Sequence, residues 1–521
     1  MASARSSSSR RAAAAANPAP RPRRPAAAKA ASVRRTRSAR RVIFALGLVT
    51  LAFGARAAAA VLTLDAAVTA ALQKNQALKV SAFSPEIARA NVLAEFGRFD
   101  PALTFRRTYS ETETPVSRSP LVNSLVQTDA AALALGGLTP WGLSYSLAAT
   151  AENQRGTFNR FSDRYVTFGG LTVTQPLLRG FGFGANLASL RIAKADRSLA
   201  DWQHRQTVID TVTGVVLAYN SALQARENVR IARLSRDLTA QLVAQNETRN
   251  RVGQISDADV LQARARLAGR EEAVLLAERN AADLDHRLRQ LIGETSFPLD
   301  GAALELETLP PAVPLTVDAA ADLKRAYALR PDFHAARLGI TRRQAAQAFA
   351  QNQLLPRVDF VGSYGYGGED PDFGSARRQV RDRDSRAYSA GLVVSVPLTF
   401  TEGRGRSRAA KLAVRQAEAD LVRTEQDIAI DVAAAAGQIE TTRLRVAATR
   451  RALDLAQQSL EAEQKKFTAG TSSTFLVLQA QEILAGAQSS LARALADERR
   501  ARATYERELG TTLEARGLKV E

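Results

Sequence analysis

This 521-residue chain is poor in cysteine and histidine, the side chains most often used for thiol, metal and acid–base chemistry. Cysteine is absent, which excludes disulfides, thiolate metal sites, a cysteine nucleophile and a lipid-bearing N-terminal cysteine. Histidine occurs only as His204, His286 and His334, too sparse a set for a histidine metal centre or acid–base pair. Gly-Phe-Gly-Phe-Gly at 180–184 stands between a strand pattern and a helix pattern, the context of a phosphate-cradling loop. It lacks the G-x-x-G step of the dinucleotide fingerprint, and reads instead as a strand-to-helix turn after Pro176, with Gly180 supplying an unusual backbone angle. Glu271-Glu272 reads as a solvated helix face. Asp257 and Asp259 open a helix pattern, where a carboxylate meets the positive end of the helix dipole. No catalytic constellation emerges. An enzyme is not expected, and neither a cofactor nor a metal is.

The elements that carry these residues are better defined. Composition (45% apolar, 24% charged) is that of a folded chain. The net charge of +19 is misleading. Residues 1–60 carry 13 of the 71 Lys and Arg and none of the 52 Asp and Glu, which leaves the remaining chain at +6. No basic stripe of the kind nucleic acid needs is evident, and nucleic acid is not expected as a partner. Residues 1–59 read as a signal peptide with an extended basic n-region. Arg40-Arg41 precedes the apolar run Val42–Phe53, and small residues follow at 54–60. Twelve residues span only ~18 Å as a helix, short of a ~30 Å hydrocarbon core. No later stretch is apolar for long enough to be a transmembrane helix.

The rest of the chain repeats itself. Residues 70–78 (AALQKNQAL) lie over 325–333 (RAYALRPDF). Residues 172–178 (TVTQPLL) lie over 393–399 (VVSVPLT), which pairs Pro176 with Pro397. Residues 251–263 lie over 468–480, with Gly253 on Gly470, and the match runs on to place Gly293 on Gly510. Each half reads helix, β stretch, helix, helix. The first repeat covers 62–293 and the second 318–510, with a proline-rich linker at 294–317 and a short tail at 511–521. In the first half, helix is expected from Thr63 to about Phe96, β structure over 101–175, a long helix over about 185–250 and another over about 257–292. Val260, Leu267, Val274, Ala281 and Leu288 recur every seven residues, with Val477, Leu484 and Leu491 in the second half, a coiled-coil period. Residues 132–147 (ALALGGLTPWGLSYSL) read as an additional hairpin in the first β region. Trp141, Tyr145, Tyr165 and Phe168 are candidates for aromatic girdles.

Taken together, LTLDAAVTAALQKN (62–75), TQPLLRGFG (174–182), RVGQISDADVLQAR (251–264) and FTAGTSSTFLVLQAQ (467–481), in this order and duplicated, resemble the TolC-type outer-membrane efflux proteins. The resemblance covers about residues 62–510. It implies a mixed, mostly α fold. Each protomer of a homotrimer gives about four strands to a shared 12-stranded barrel in outer-membrane lipid, continued by a long periplasmic α-helical barrel.

The resemblance also implies a function. The chain would be the passive exit duct of a tripartite efflux or type I secretion system, in the outer membrane and reaching into the periplasm. It would conduct small molecules or polypeptides. Energy would come from an inner-membrane pump of RND or ABC type, reached through a periplasmic adaptor. Val252, Gly253 and Gln254, with Ala469, Gly470 and Thr471, would be the adaptor-facing hairpin tips. Asp259, Leu476 and Gln479 would line the pore constriction. The sequence departs from the family here. Leu476 and Gln479 stand where some members carry a second aspartate ring, and Ser472 stands where the family latch has its arginine, beside the aromatic Phe467. The alternative is a periplasmic coiled-coil scaffold without a channel.

Overall fold

The computed structural model describes residues 61–115, 123–294, 304–310 and 315–518. The expected signal peptide therefore lies outside the described residues. The expected helix over 63–96 is two helices, α1 (Leu64–Lys74) and α2 (Gln76–Phe96). Asn75 makes the break: its side chain accepts from the amides of Ala77 and Leu78, capping α2, and donates to the carbonyl of Leu291 at 2.8 Å.

Strands β1 (Ala102–Pro115), β2 (Asn123–Leu138), β3 (Ser144–Gly156) and β4 (Tyr165–Pro176) follow, then a short α3 (Gly182–Asn186). Two helices come next, α4 (Ala188–Arg251) and α5 (Asp257–Leu291). The second repeat gives α6 (Ala319–Leu329), α7 (Pro331–Asn352), β5 (Arg357–Asp370), α8 (Phe373–Asp382), β6 (Ser385–Ser395), α9 (Thr401–Thr468) and α10 (Thr474–Glu508). The 64 residues of α4 span ~96 Å and the 68 of α9 ~102 Å at 1.5 Å per residue.

Among the described residues the helices form four columns. α4 packs against α5 and α10 towards the tips and against α2 and α7 towards the sheet, and α9 packs against α10 and α7. Two columns are thus continuous (α4, α9), and two are jointed, with α1 and α2 abutting the end of α5 and α7 abutting the end of α10. The joints use the duplicated glycines. Gly293 has φ +77° and Gly510 φ +73°, each closing its helix with a left-handed residue. At the first joint Asn75 bridges to Leu291. At the second, Arg330 donates to Glu508 at 2.8 Å and to Asp332 at 2.6 Å, with Asp431 at 3.3 Å.

The main core surrounds the first joint. Val208, Ile209, Val212, Val215 and Tyr219 of α4 meet Ala67, Val68 and Ala71 of α1 with Leu288 and Ile292. The heptad residues Val260, Val274 and Leu288 are buried, as are Val477 and Leu484. Tyr505 of α10 is buried too, and its phenol donates to Asp322. The described part of the linker joins this core: Leu62 bridges Leu306, and the Tyr219 hydroxyl donates to the carbonyls of Leu62 and Glu307 at 2.7 and 3.0 Å. After Gly510 the chain turns back into this core, where Leu513 is buried.

Among the described residues the sheet holds six antiparallel strands in the order β1-β2-β3-β4-β5-β6, not the four of the resemblance. The reason is visible in the duplication. β1 follows α2 as β5 follows α7, and β4 precedes α3 and α4 as β6 precedes α9. β2 and β3 are the additional hairpin, inserted between the paired strands of the first repeat. Within the described residues no helix is long and apolar enough to cross a membrane.

Candidate functional site: a two-faced sheet and paired helix tips

Strand register sorts the sheet into two unlike faces, because directly opposed residues point to the same side. Leu103 opposes Leu135, Leu135 opposes Leu147, Leu147 opposes Leu171, Leu171 opposes Tyr364 and Tyr364 opposes Tyr388. All six are exposed. One residue along, on the other face, the row reads Ala102, Gly136, Ser146, Thr172, Ser363, Ser389. An exposed apolar row backed by a small, polar one is the pattern of a membrane β-barrel wall, lipid outside and water inside. The strands are 11 to 16 residues long, enough to cross when tilted.

Of the girdle candidates, Tyr145 belongs to the apolar face, opposite Val173. Trp141 sits in the β2–β3 turn, 6.5 Å from Phe183. Tyr165 meets Phe373 of α8 at 5.7 Å. Phe168 does not belong with them: it opposes Thr150 and Gly367 on the polar face. Helix α8, which the sequence reading lacked, lies over the apolar face near the outer ends of β4 and β5. There Thr167 donates to the Ala376 carbonyl and Gly169 leaves room for Val380.

At the other end of this face the strand-to-helix turn is closely tied. Gly180 (φ +85°) donates its N–H to the Asn352 side chain at 2.8 Å, and Gly182 (φ +86°) donates to the Trp141 carbonyl at 2.9 Å. These donors are occupied within the fold, so the loop at 180–184 is a turn. Pro176 ends β4 opposite Asp359. Pro397 follows β6 in the matching turn, where α9 begins after Phe400 at φ +51°.

The helix tips match as the repeat predicts. In the first, the amides of Gly253 and Gln254 donate to the carbonyls of Asn250 and Arg249; in the second, those of Gly470 and Thr471 donate to Phe467 and Lys466. Gly253 and Gly470 have φ of +74° and +76°, with open space where a side chain would stand. Val252, Gly253, Gln254, Ala469, Gly470 and Thr471 are all exposed.

Asp259 completes a capping box. It accepts from the Ser256 amide at 3.3 Å and the Ser256 hydroxyl at 2.7 Å, and its own amide donates to the Ser256 oxygen. Leu476 and Gln479 lie on the exposed side of α10. Among the described residues no hydrogen bond or ion pair joins them to Asp259 within one protomer. Ser472 instead bonds Glu463.

The structure supplies an arginine the sequence reading missed. Arg249, in the last turn of α4, places its guanidinium 4.3 Å from the centre of the buried Phe467 ring and donates to the Phe467 carbonyl at 3.1 Å. Nearby, Asn246 donates to Thr474 at 3.2 Å. The two tips are thus clamped to each other. A basic residue near a helix C-terminus is an ordinary sequence feature, and nothing in the sequence marks a partner 218 residues away. Arg249→Ala is expected to cost about 1–2 kcal/mol and to raise amide exchange across 464–472, with Arg249→Lys recovering part of the protection.

His204 bonds Ser81 at 2.9 Å, and His334 stacks on Trp202 with ring centres 4.1 Å apart, so both are packing residues.

Comparison with known proteins accords with this geometry. The chain is 24% identical over 313 residues to the pyoverdine export outer membrane protein OpmQ of Pseudomonas aeruginosa, a match covering 59% of this chain and 63% of that protein. The chain therefore spans less than two thirds of that relative's length. Among solved structures, the outer-membrane channel OprN superposes with a TM-score of 0.66 at 21% identity, over 86% of this chain and 90% of that one. The Campylobacter jejuni CmeC outer membrane channel does so at 0.65 and 16%, over 86% of each chain. The outer membrane protein VceC of Vibrio cholerae does so at 0.64 and 18%, over 86% and 96%. A family model described as outer membrane efflux protein matches residues 67–294 and 323–511. With four fifths of its length so matched, the chain belongs to the outer membrane efflux protein family.

Proposed function

We propose that this chain is the protomer of a passive outer-membrane exit duct. Three copies join their sheets into one barrel in the outer membrane and their helix columns into a hollow extension through the periplasm. The observation that carries the reading is the continuous apolar row from Leu103 to Tyr388, backed by the small, polar row from Ala102 to Ser389. Both sheet edges support assembly. β1 and β6 are exposed along their lengths and pair on one side only, and unpaired strand edges are not tolerated in lipid. Cargo is small molecules or polypeptides. It is delivered by an inner-membrane pump, of RND or ABC type, through an adaptor that docks on the tips at Val252–Gln254 and Ala469–Thr471. The open, exposed glycines there support close approach of a partner backbone.

Asp259 has two roles in this reading. It caps α5, and three copies of it form an acidic ring at the narrow end. The test is outer-membrane fractionation, native mass in detergent and single-channel recording in planar bilayers. A three-copy, outer-membrane, conducting species supports the duct; a soluble species without conductance rejects it. Asp259→Ala is expected to shift the reversal potential in a salt gradient away from cation selectivity. Ser256→Ala removes the cap but keeps the charge, and is expected to leave the reversal potential in place while costing about 1 kcal/mol. Equal reversal potentials in the Asp259 variant and the parent would remove Asp259 from the pore.

A further inference from the structure

We propose that β2 and β3 are lipid-facing wall strands, so that six strands from each of three copies close an 18-stranded barrel, not a 12-stranded one. The inference rests on the trimeric duct proposed above. Barrel diameter grows about linearly with strand number, so the bore is about one and a half times that of 12 strands at equal tilt.

Four observations carry it. First, the two-faced pattern crosses the inserted hairpin unbroken. Leu135 and Leu147 continue the apolar row between Leu103 and Leu171, and Gly136 and Ser146 continue the small, polar one. A hairpin folded over the barrel as an external flap, or into it as a plug, would have no need of this alternation in step with its neighbours.

Second, the hairpin's turn is fixed at the level where the barrel meets the helices. Gly142 (φ +100°) packs so closely on the Gly180 carbonyl that an added Cβ would lie 2.4 Å from its oxygen, and the Trp141 carbonyl accepts from Gly182. β3 pairs with β4 from Ser144–Thr174 at this end up to Asn153–Tyr165. The hairpin therefore runs the full height of the wall.

Third, the widths agree. Strands 4.7–4.9 Å apart and tilted 35–45° each take about 6–7 Å of circumference. Six take about 35–41 Å and four only about 23–27 Å. The four helix columns beneath, at 8–10 Å between axes, take about 32–40 Å. Six strands match the arc of the helices that carry them.

Fourth, the strand number is even. β1 and β6 run in opposite directions, so β6 of one copy meets β1 of the next antiparallel, and three copies close without a mismatched seam.

The test uses the full-length protein, whose lack of cysteine makes single introduced thiols clean reporters. Ser146→Cys, Leu147→Cys, Ala148→Cys and Ala149→Cys scan β3; Leu171→Cys and Thr172→Cys serve as controls on β4. Native mass counts copies, and labelling by a water-soluble thiosulfonate reads the facing of each position. With three copies, at least tenfold faster labelling at Ser146 and Ala148 than at Leu147 and Ala149 supports the 18-stranded wall. Three copies with alternation on β4 but equal labelling along β3 overturns it and leaves the duct intact. Any other copy number, or no alternation on β4, rejects the trimeric duct itself.

Discussion

Gly293→Ala is expected to destabilise the protein by about 3 kcal/mol or more, and Gly510→Ala by only about 1–2 kcal/mol. The two glycines occupy matching positions in the repeats and have nearly equal backbone angles, φ +77° and +73°. Each alanine pays the same left-handed penalty. The surroundings differ. A Cβ on Gly293 would lie 2.5 Å from the backbone carbon and oxygen of Lys74, atoms held by the α1–Asn75–α2 break. On Gly510 its nearest neighbours are Leu329 atoms at 3.0 Å. The first joint has to separate to accept a methyl group, whereas the second shifts by a few tenths of an ångström. Chemical unfolding of the two variants in detergent measures the difference. Equal losses would mean that backbone angle alone governs the joints.

Arg330→Met should lower stability by about 3–5 kcal/mol, because it strands a carboxylate in a buried joint. The side chains of Arg330 and Glu508 are both 12% exposed. Burial opposes the charge on Arg330, but Asp332, Glu508 and Asp431 more than offset it and raise its pKa. Burial holds the Glu508 carboxyl above the usual range, against the pull of Arg330 and Arg507. A carboxyl raised in this way favours folding below its unfolded value, and loses that contribution as pH rises through its folded value. Without Arg330 the Glu508 carboxyl rises further. The deficit of the variant is therefore expected to be larger near neutral pH and to shrink as pH falls and Glu508 takes up its proton. Adding Glu508→Gln should recover part of the loss and flatten this pH dependence. A deficit independent of pH would place the effect in lost packing of the Arg330 stem.

Much of the fold was legible in the sequence because duplication writes it twice. The offsets that place Gly253 on Gly470 and Gly293 on Gly510 locate both tips and both joints, and the seven-residue period from Val260 to Leu288 marks a seam in which Val260, Val274 and Leu288 are buried. The break at Asn75 was harder to see. Its cap is local, but the interaction that gives the break its purpose is with Leu291, far along the chain.

The candidate site was less legible. The tips are local turns and were found. Ser256 to Asp259 has the spacing of a capping box, so that signal was present. The grip of Arg249 on Phe467 joins two repeats and leaves no local trace. The side of the sheet on which Phe168 lies follows from register, which strands rich in Ala, Gly and Thr specify weakly. The additional hairpin read at 132–147 is the turn and adjoining halves of β2 and β3, whose full length and register were not legible in the sequence.

The inserted hairpin also says how such a protein can change over evolutionary time. Two strands added together leave a sheet that begins on β1 and ends on β6 with these edge strands in opposite directions. In the proposed trimer, the edges through which one copy would meet the next keep their directions. A single added strand would have reversed one edge and set every neighbouring copy at odds with its partner. Growth by whole hairpins leaves copy number, and the helices below, free to stay the same. One short duplication or insertion in a gene, inside a single β region, would then be a complete evolutionary step, because the symmetry of the proposed trimer would multiply it around the ring.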